Sequence, residues 1–159
     1  MSASVDAALT LRPVGREDLP ALLEMLRRFY AEDRIPLDEP RVLRGLEQLL
    51  AEPSLGAALF AEAGGACIGY LVLGWCFSIE QGGRHVLVDE LYLAPDARGR
   101  GLGSALLAAA CDWARAQDAE VIRLEVNRHN PRAKALYLRH GFRDDDRDLL
   151  SLPLRGARA

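Results

Sequence analysis

Gly99, Gly101 and Gly103 stand in the run Arg98-Gly99-Arg100-Gly101-Leu102-Gly103-Ser104, directly between a strand pattern and a helix pattern. Arg84 to Leu93 before it is rich in Val, Leu and Tyr. After it, Leu102, Leu106, Ala109/Ala110 and Trp113 share one face at helical spacing. A strand feeding a helix through so tight a turn points to α/β architecture. The turn also leaves the helix's first N–H groups unpaired at the positive end of its dipole, a setting that favours an anion. Arg98 and Arg100 add charge suited to a pyrophosphate. A P-loop would need Lys-Ser or Lys-Thr after the glycines, and a dinucleotide fingerprint would need its third glycine at Ser104; both readings fail. The plain alternative is a strand-to-helix turn that binds nothing.

The rest of the chain supplies the layers that such a unit needs. Leu9 to Val14 alternates as a short edge strand, and Asp18-Leu19-Pro20 opens a helix carrying Leu22, Leu23, Leu26 and Phe29/Tyr30. A second helix follows Pro40, after an acidic loop over residues 32–39. Ala57 to Ala63, Cys67 to Phe77 and Arg84 to Leu93 read as an antiparallel meander joined at Gly64-Gly65 and Gln81-Gly82-Gly83. Val121 to Val126 is a β-branched strand. Asn130-Pro131 and Gly141 bracket a short capped helix over residues 131–140. A last strand over Asp148 to Leu154 is expected after a polar hairpin at Arg143 to Arg147.

At 159 residues, half apolar and 27% charged, the chain suits a single domain over residues 1–159. The longest apolar run, Ala105 to Cys111, is too short to span a membrane, and the opening Met-Ser-Ala-Ser-Val-Asp lacks an export signal. Cys67, Cys76 and Cys111 are an odd number without Cys-x-x-Cys spacing, so a cytoplasmic setting and no thiolate zinc site are expected. His85, His129 and His140 are too scattered for a metal centre. A net charge of −3 gives no reason to expect nucleic acid. The charge is uneven, however: residues 1–95 hold 8 basic and 14 acidic side chains, residues 96–159 hold 12 and 9. An anionic ligand is favoured by the second part and a cationic one by the first.

The strand Asp89-Glu90-Leu91-Tyr92-Leu93-Ala94-Pro95 followed by Arg98-x-x-Gly101-x-Gly103 resembles the coenzyme A motif of the GNAT N-acetyltransferases. A second stretch, Asn130-x-x-Ala133-x-x-Leu136-Tyr137-x-x-x-Gly141-Phe142, resembles the downstream signature of the same superfamily at the expected separation. The resemblance implies a mixed, mostly antiparallel central sheet flanked by helices, with a splayed strand pair holding acetyl-CoA as cosubstrate. It implies that the backbone of Gly99 to Ser104, with Arg98, Arg100 and Leu102, cradles the pyrophosphate. The main chain around Leu91, Tyr92 and Leu93 would hold the pantetheine arm, and a main-chain N–H near Leu91 would polarise the thioester carbonyl. Asn130 would touch the same arm, cap its helix, or do both.

Tyr137 occupies the position from which many family members protonate the departing thiolate. A phenol of ordinary pKa about 10 is available for this at neutral pH. Three carboxylates compete as general base. Asp89 and Glu90 adjoin on one strand, so alternation sends them to opposite faces and lets only one look into a cleft. Asp89 resembles a base-like glutamate of the polyamine-acetylating branch, and Glu125 one of the branch acting on protein N-termini. Trp75, Phe77 and Tyr92 line an acceptor pocket or belong to the core. The cysteines read as small core hydrophobes, which disfavours an acetyl-cysteine intermediate.

The reading is an enzyme in which an amine attacks acetyl-CoA directly. Its acceptor is a small-molecule or peptide amine, a cationic small molecule above all, with no membrane or nucleic-acid partner. A homodimer is in keeping with the resemblance. The alternatives are a protein N-terminal acetyltransferase, a non-catalytic acyl-CoA-binding regulatory module, or a nucleotide-binding module built on the same turn.

Overall fold

The computed structural model describes residues 8–155. In chain order the elements are β1 (Thr10–Pro13), α1 (Leu19–Glu32), α2 (Glu39–Ala51), β2 (Gly56–Ala63), β3 (Ala66–Ser78), β4 (Gly83–Leu93), α3 (Leu102–Ala116), β5 (Ile122–Leu124) and α4 (Pro131–Arg139). The strands form one sheet in the order β1-β2-β3-β4-β5. Every pairing is antiparallel except β4 with β5, which is parallel and joined through α3. Parallel neighbours need such a crossover, and the helical pattern after the glycine turn supplies it.

The two faces of the sheet bury different partners. On one, Ala58, Phe60, Tyr70, Val72 and Tyr92 pack with Leu19, Leu22, Leu23 and Leu26 of α1 and Leu46 of α2. On the other, Leu59, Leu71, Leu73, Val86, Val88 and Leu93 pack with Leu106, Ala110 and Ala114 of α3. Leu22, Leu26 and Leu106 are among the largest fully buried side chains, and each contributes about 1.5–3 kcal/mol by leaving water. Pro20 and Pro40 lie in the first turns of α1 and α2, where a missing N–H costs nothing. The Asp38 carboxylate caps α2 by accepting from the Arg41 N–H at 3.1 Å.

One irregularity sets up the site. Pairing runs Leu73↔Val88 and then Val72↔Glu90, so Asp89 is an extra residue in β4, opposite no residue of β3. This is a β-bulge, which bends the strand and changes the phase of its side chains. Before the bulge, Val86 and Val88 face α3; after it, Leu91 and Leu93 do so. Glu90 and Tyr92 are thereby turned towards α1. Simple alternation, which sends Asp89 and Glu90 to opposite faces, fails here because the strand does not keep one phase.

A second expectation is also corrected. Residues 142–152 form neither hairpin nor strand, and Leu149, Leu150, Leu152 and Leu154 are 71–90% exposed. Their alternation is real, but no strand edge pairs with them, and Pro153 lacks an N–H to offer a ladder. Ion pairs hold this stretch instead: Lys134–Asp144, Arg123–Asp145 at 3.2 Å, Arg147–Glu80 at 2.7 Å and Arg128–Asp148. The strand read over Val121 to Val126 is shorter than its β-branched run, ending at Leu124.

Candidate active site

β4 and β5 pair only over Val86↔Ile122, Leu87↔Arg123 and Val88↔Leu124. β4 continues through Leu93 while the chain beyond Leu124 turns away, so the edge of Asp89 to Leu93 facing β5 has no strand partner. Apart from the Leu93 carbonyl, which accepts from Arg98, no strand takes up the main-chain groups of that edge, which can bind an extended ligand arm. The splay begins at the bulge.

On the other side of the bulge lies a cleft of about 430 Å³. Its walls come from Leu26 and Tyr30 of α1, Pro36 and Asp38 of the following loop, Arg41, Val42, Gly45 and Leu46 of α2, and Val72, Asp89 and Glu90 of the sheet. Both β4 carboxylates therefore face one space. Glu90 accepts from the Tyr30 hydroxyl at 2.5 Å and from the Tyr70 hydroxyl at 2.9 Å. Burial raises the Glu90 pKa above the usual carboxylate range, against the two phenol bonds, which lower it; the neighbouring Asp89 charge adds to the rise. Burial also raises Asp89. Both carboxyls thus hold protons more tightly than free carboxylates do, as a group that must accept a proton near neutrality requires.

Tyr30 and Tyr70 were not legible as site residues. Tyr30 lies in the apolar pattern of α1 and Tyr70 in that of β3, with 60 and 20 residues of chain separating them from Glu90. Trp75, Phe77 and Tyr92 do not line the cleft. Trp75 packs on Trp113 and under the Arg84 guanidinium, Phe77 is largely exposed, and Tyr92 is buried between Phe29 and Tyr70.

At the glycine turn, Gly99 and Gly101 have φ of +78° and +75°, a backbone conformation that side chains with a Cβ resist. Gly101 is the N-cap of α3 and offers no side chain, so no cap occupies the first-turn amides of Leu102, Gly103 and Ser104. A Cβ at Gly103 would meet Leu136 and Leu93 side chains at ordinary contact distances of 3.6 and 3.8 Å. The arginines are already tethered. Arg98 donates to the Leu93 carbonyl at 2.9 Å and to Glu32 at 2.6 Å, and Arg100 donates to the Asp96 carbonyl at 2.6 Å. The first-turn backbone amides are therefore the groups this turn leaves open to an anion.

Three other residues lie beyond the cleft. Asn130 Oδ1 accepts from the Ala133 N–H at 3.1 Å, capping α4. Tyr137, on α4, packs at a tilt against Phe142 with ring centres 6.1 Å apart. Burial raises its phenol pKa, with the Asp33 charge contributing. Asp33 itself accepts from the Asn127 side chain and lies 3.2 Å from His129 Nε2. Glu125 follows β5, is exposed, and does not line the cleft. No cluster of three or more metal-ligating side chains is found among the described residues, nor any helix long and apolar enough to cross a membrane.

The sequence pattern of the Acetyltransferase (GNAT) family matches residues 19–142, which include both walls of the cleft, the splay and the turn. The chain belongs to the GNAT acetyltransferase family. It is 34% identical over 140 residues to YhfO of Bacillus subtilis, described as an uncharacterized N-acetyltransferase, covering 86% of this chain and 91% of that one. It is 39% identical over 142 residues to a mycothiol acetyltransferase of Clavibacter michiganensis, covering 87% of this chain but only 44% of that enzyme. Among solved structures, an integron cassette protein from the Cole Harbour Salt Marsh metagenome superposes with a TM-score of 0.78 at 30% identity, covering 92% of this chain and 91% of that one. A predicted acetyltransferase of Clostridium acetobutylicum, solved with acetyl-CoA, shares the fold, with a TM-score of 0.75 at 20% identity over 92% of this GNAT chain and 96% of its own.

Proposed function

We propose that this GNAT protein transfers the acetyl group of acetyl-CoA to a primary amine by direct attack within a ternary complex. The observation that carries the reading is the position of the bulge. Asp89 lies where the β4–β5 pairing stops and where the acidic cleft opens, so a thioester lying along the splay and an amine in the cleft meet at one point. Holding the two reactants together there removes much of the entropic barrier to their reaction.

The amine nitrogen attacks the thioester carbonyl carbon, and the main-chain N–H near Leu91 steadies the developing oxyanion. Glu90, with Asp89 beside it, takes the proton that the amine must lose. Collapse of the tetrahedral intermediate breaks the C–S bond, and the Tyr137 hydroxyl gives its proton to the departing sulfur. With its pKa raised, that phenol is protonated throughout the neutral range. The amides of Leu102 to Ser104 hold the pyrophosphate, and the strand edge at Leu91 and Leu93 that β5 leaves uncovered holds the pantetheine arm. Glu125 is assigned no proton, since it stands outside the cleft. Likeness to mycothiol acetyltransferases supports a small-molecule acceptor. Three free cysteines suit a reducing, cytoplasmic setting.

Calorimetric titration with acetyl-CoA, beside ATP and NAD, tests coenzyme binding, and Tyr137→Phe tests the chemistry. Selective binding of acetyl-CoA is expected, with kcat falling at least tenfold in the variant and coenzyme affinity retained. If acetyl-CoA does not bind, the assignment fails. If it binds but no amine is acetylated, the regulatory-module reading replaces it.

A further inference from the structure

The acceptor cleft is not uniformly acidic. Asp89 and Glu90 enter it from β4, while α2 contributes the guanidinium of Arg41, the one cation among the lining residues. Among the described residues Arg41 forms no ion pair, although its own backbone N–H is capped by Asp38. Asp38 lines the cavity as well, its carboxylate engaged in capping the first turn of α2, so four charged groups share the cavity and no ion pair joins any two of them among the described residues. Between them the lining is apolar: Leu26, Pro36, Val42, Leu46 and Val72. Gly45, one helical turn beyond Arg41, leaves open space where a Cβ would stand. At about 430 Å³ the cavity lies towards the small end of the range for small-molecule sites.

Each part of this lining selects for something. The paired carboxylates of β4 select an amine. The apolar walls favour a hydrocarbon body. A guanidinium on another wall favours a planar anion through paired N–H donors and repels a second ammonium group. We propose that the acceptor is a small amphoteric amine, its amino group at Glu90 and Asp89 and its carboxylate at Arg41, with a short apolar body between them. This rests on the transferase reading and narrows it: amino acids, dipeptides and ω-amino acids fit, whereas polyamines do not.

The test uses three matched pairs of probes: L-leucine and L-leucinamide, glycyl-L-leucine and its amide, 6-aminohexanoate and its amide, with spermidine alongside. Release of coenzyme A from saturating acetyl-CoA is followed for wild type, Arg41→Gln and Arg44→Gln, the last removing a nearby α2 charge that does not line the cleft. In wild type and in Arg44→Gln, at least one acid is expected to exceed its amide by tenfold or more in kcat/KM. In Arg41→Gln that ratio falls to about one. Equal use of acids and amides by wild type, better use of amides or spermidine, or a ratio that survives Arg41→Gln overturns the inference while leaving the transferase reading intact. If no probe is turned over, calorimetry of the same pairs with coenzyme A-loaded protein decides: tighter binding of an acid that is lost in Arg41→Gln supports the inference, and no such difference overturns it. Failure of acetyl-CoA itself to bind marks the distinct failure of the transferase reading.

Discussion

Replacing Tyr30 by Phe removes one oxygen from the wall of the cleft and leaves the ring's packing against Phe29 in place. That oxygen is the 2.5 Å donor to Glu90 Oε1. A hydrogen bond to an ionised group contributes about 1.5–3 kcal/mol, and about 1.36 kcal/mol equals one pKa unit, so losing it raises the Glu90 pKa by about one to two units. The lower figure applies where water enters the vacated position. The sign follows from the causes: burial already raises this carboxyl, and the Tyr30 bond is one of the two that restrain it. The assay is kcat/KM against pH with an accepted amine. Its acidic limb, which reports the coupled Asp89–Glu90 pair, is expected to move to higher pH by that amount. The loss of activity is then largest at low pH and diminishes as pH rises. An unmoved limb, or one displaced to lower pH, would refute Glu90 as the titrating base.

Three further changes probe stability. Burial holds Asp89 above its unfolded pKa, so the native state keeps that proton longer, and the charged form costs stability as pH rises from about 4 through the folded value. Asp89→Asn is therefore expected to raise the melting temperature at pH 7, with the gain vanishing below pH 4; a loss at pH 7 would contradict it. Gly101→Ala forces a Cβ into a left-handed conformation at a cost of about 1–2 kcal/mol. Gly103→Ala, whose Cβ would meet only ordinary contacts, is expected to leave urea stability unchanged or higher. Equal losses in the two would show that backbone strain is not what Gly101 relieves.

Much of this molecule can be read from local pattern. The meander strands, the helices α1, α2 and α3, the Asn130 cap and the glycine turn each announce themselves within a dozen residues, because periodicity and capping are local physics. The bulge does not. Val88-Asp89-Glu90-Leu91 sets two acids side by side and so interrupts the alternation, but only the opposing strand reveals that one residue is supernumerary and which one it is. The Tyr30–Glu90 and Tyr70–Glu90 bonds escape for the same reason, since they depend on what the sheet and α1 bring together. The leucines from Leu149 to Leu154 mislead in the opposite direction: alternation reports a potential strand face but carries no information about a partner.

The final turn of α1 has contacts in three directions. Tyr30 reaches Glu90 in the acceptor cleft, Glu32 reaches Arg98 at the glycine turn, and Asp33 reaches Asn127 and His129 before α4. In the proposed binding mode, coenzyme and acceptor lie on either side of a single short piece of helix. A ligand that displaces this turn from either side alters affinity on the other, and linkage makes the effect equal in both directions. In that binding mode the two events are joined through this turn, which then bears on the order in which the reactants arrive.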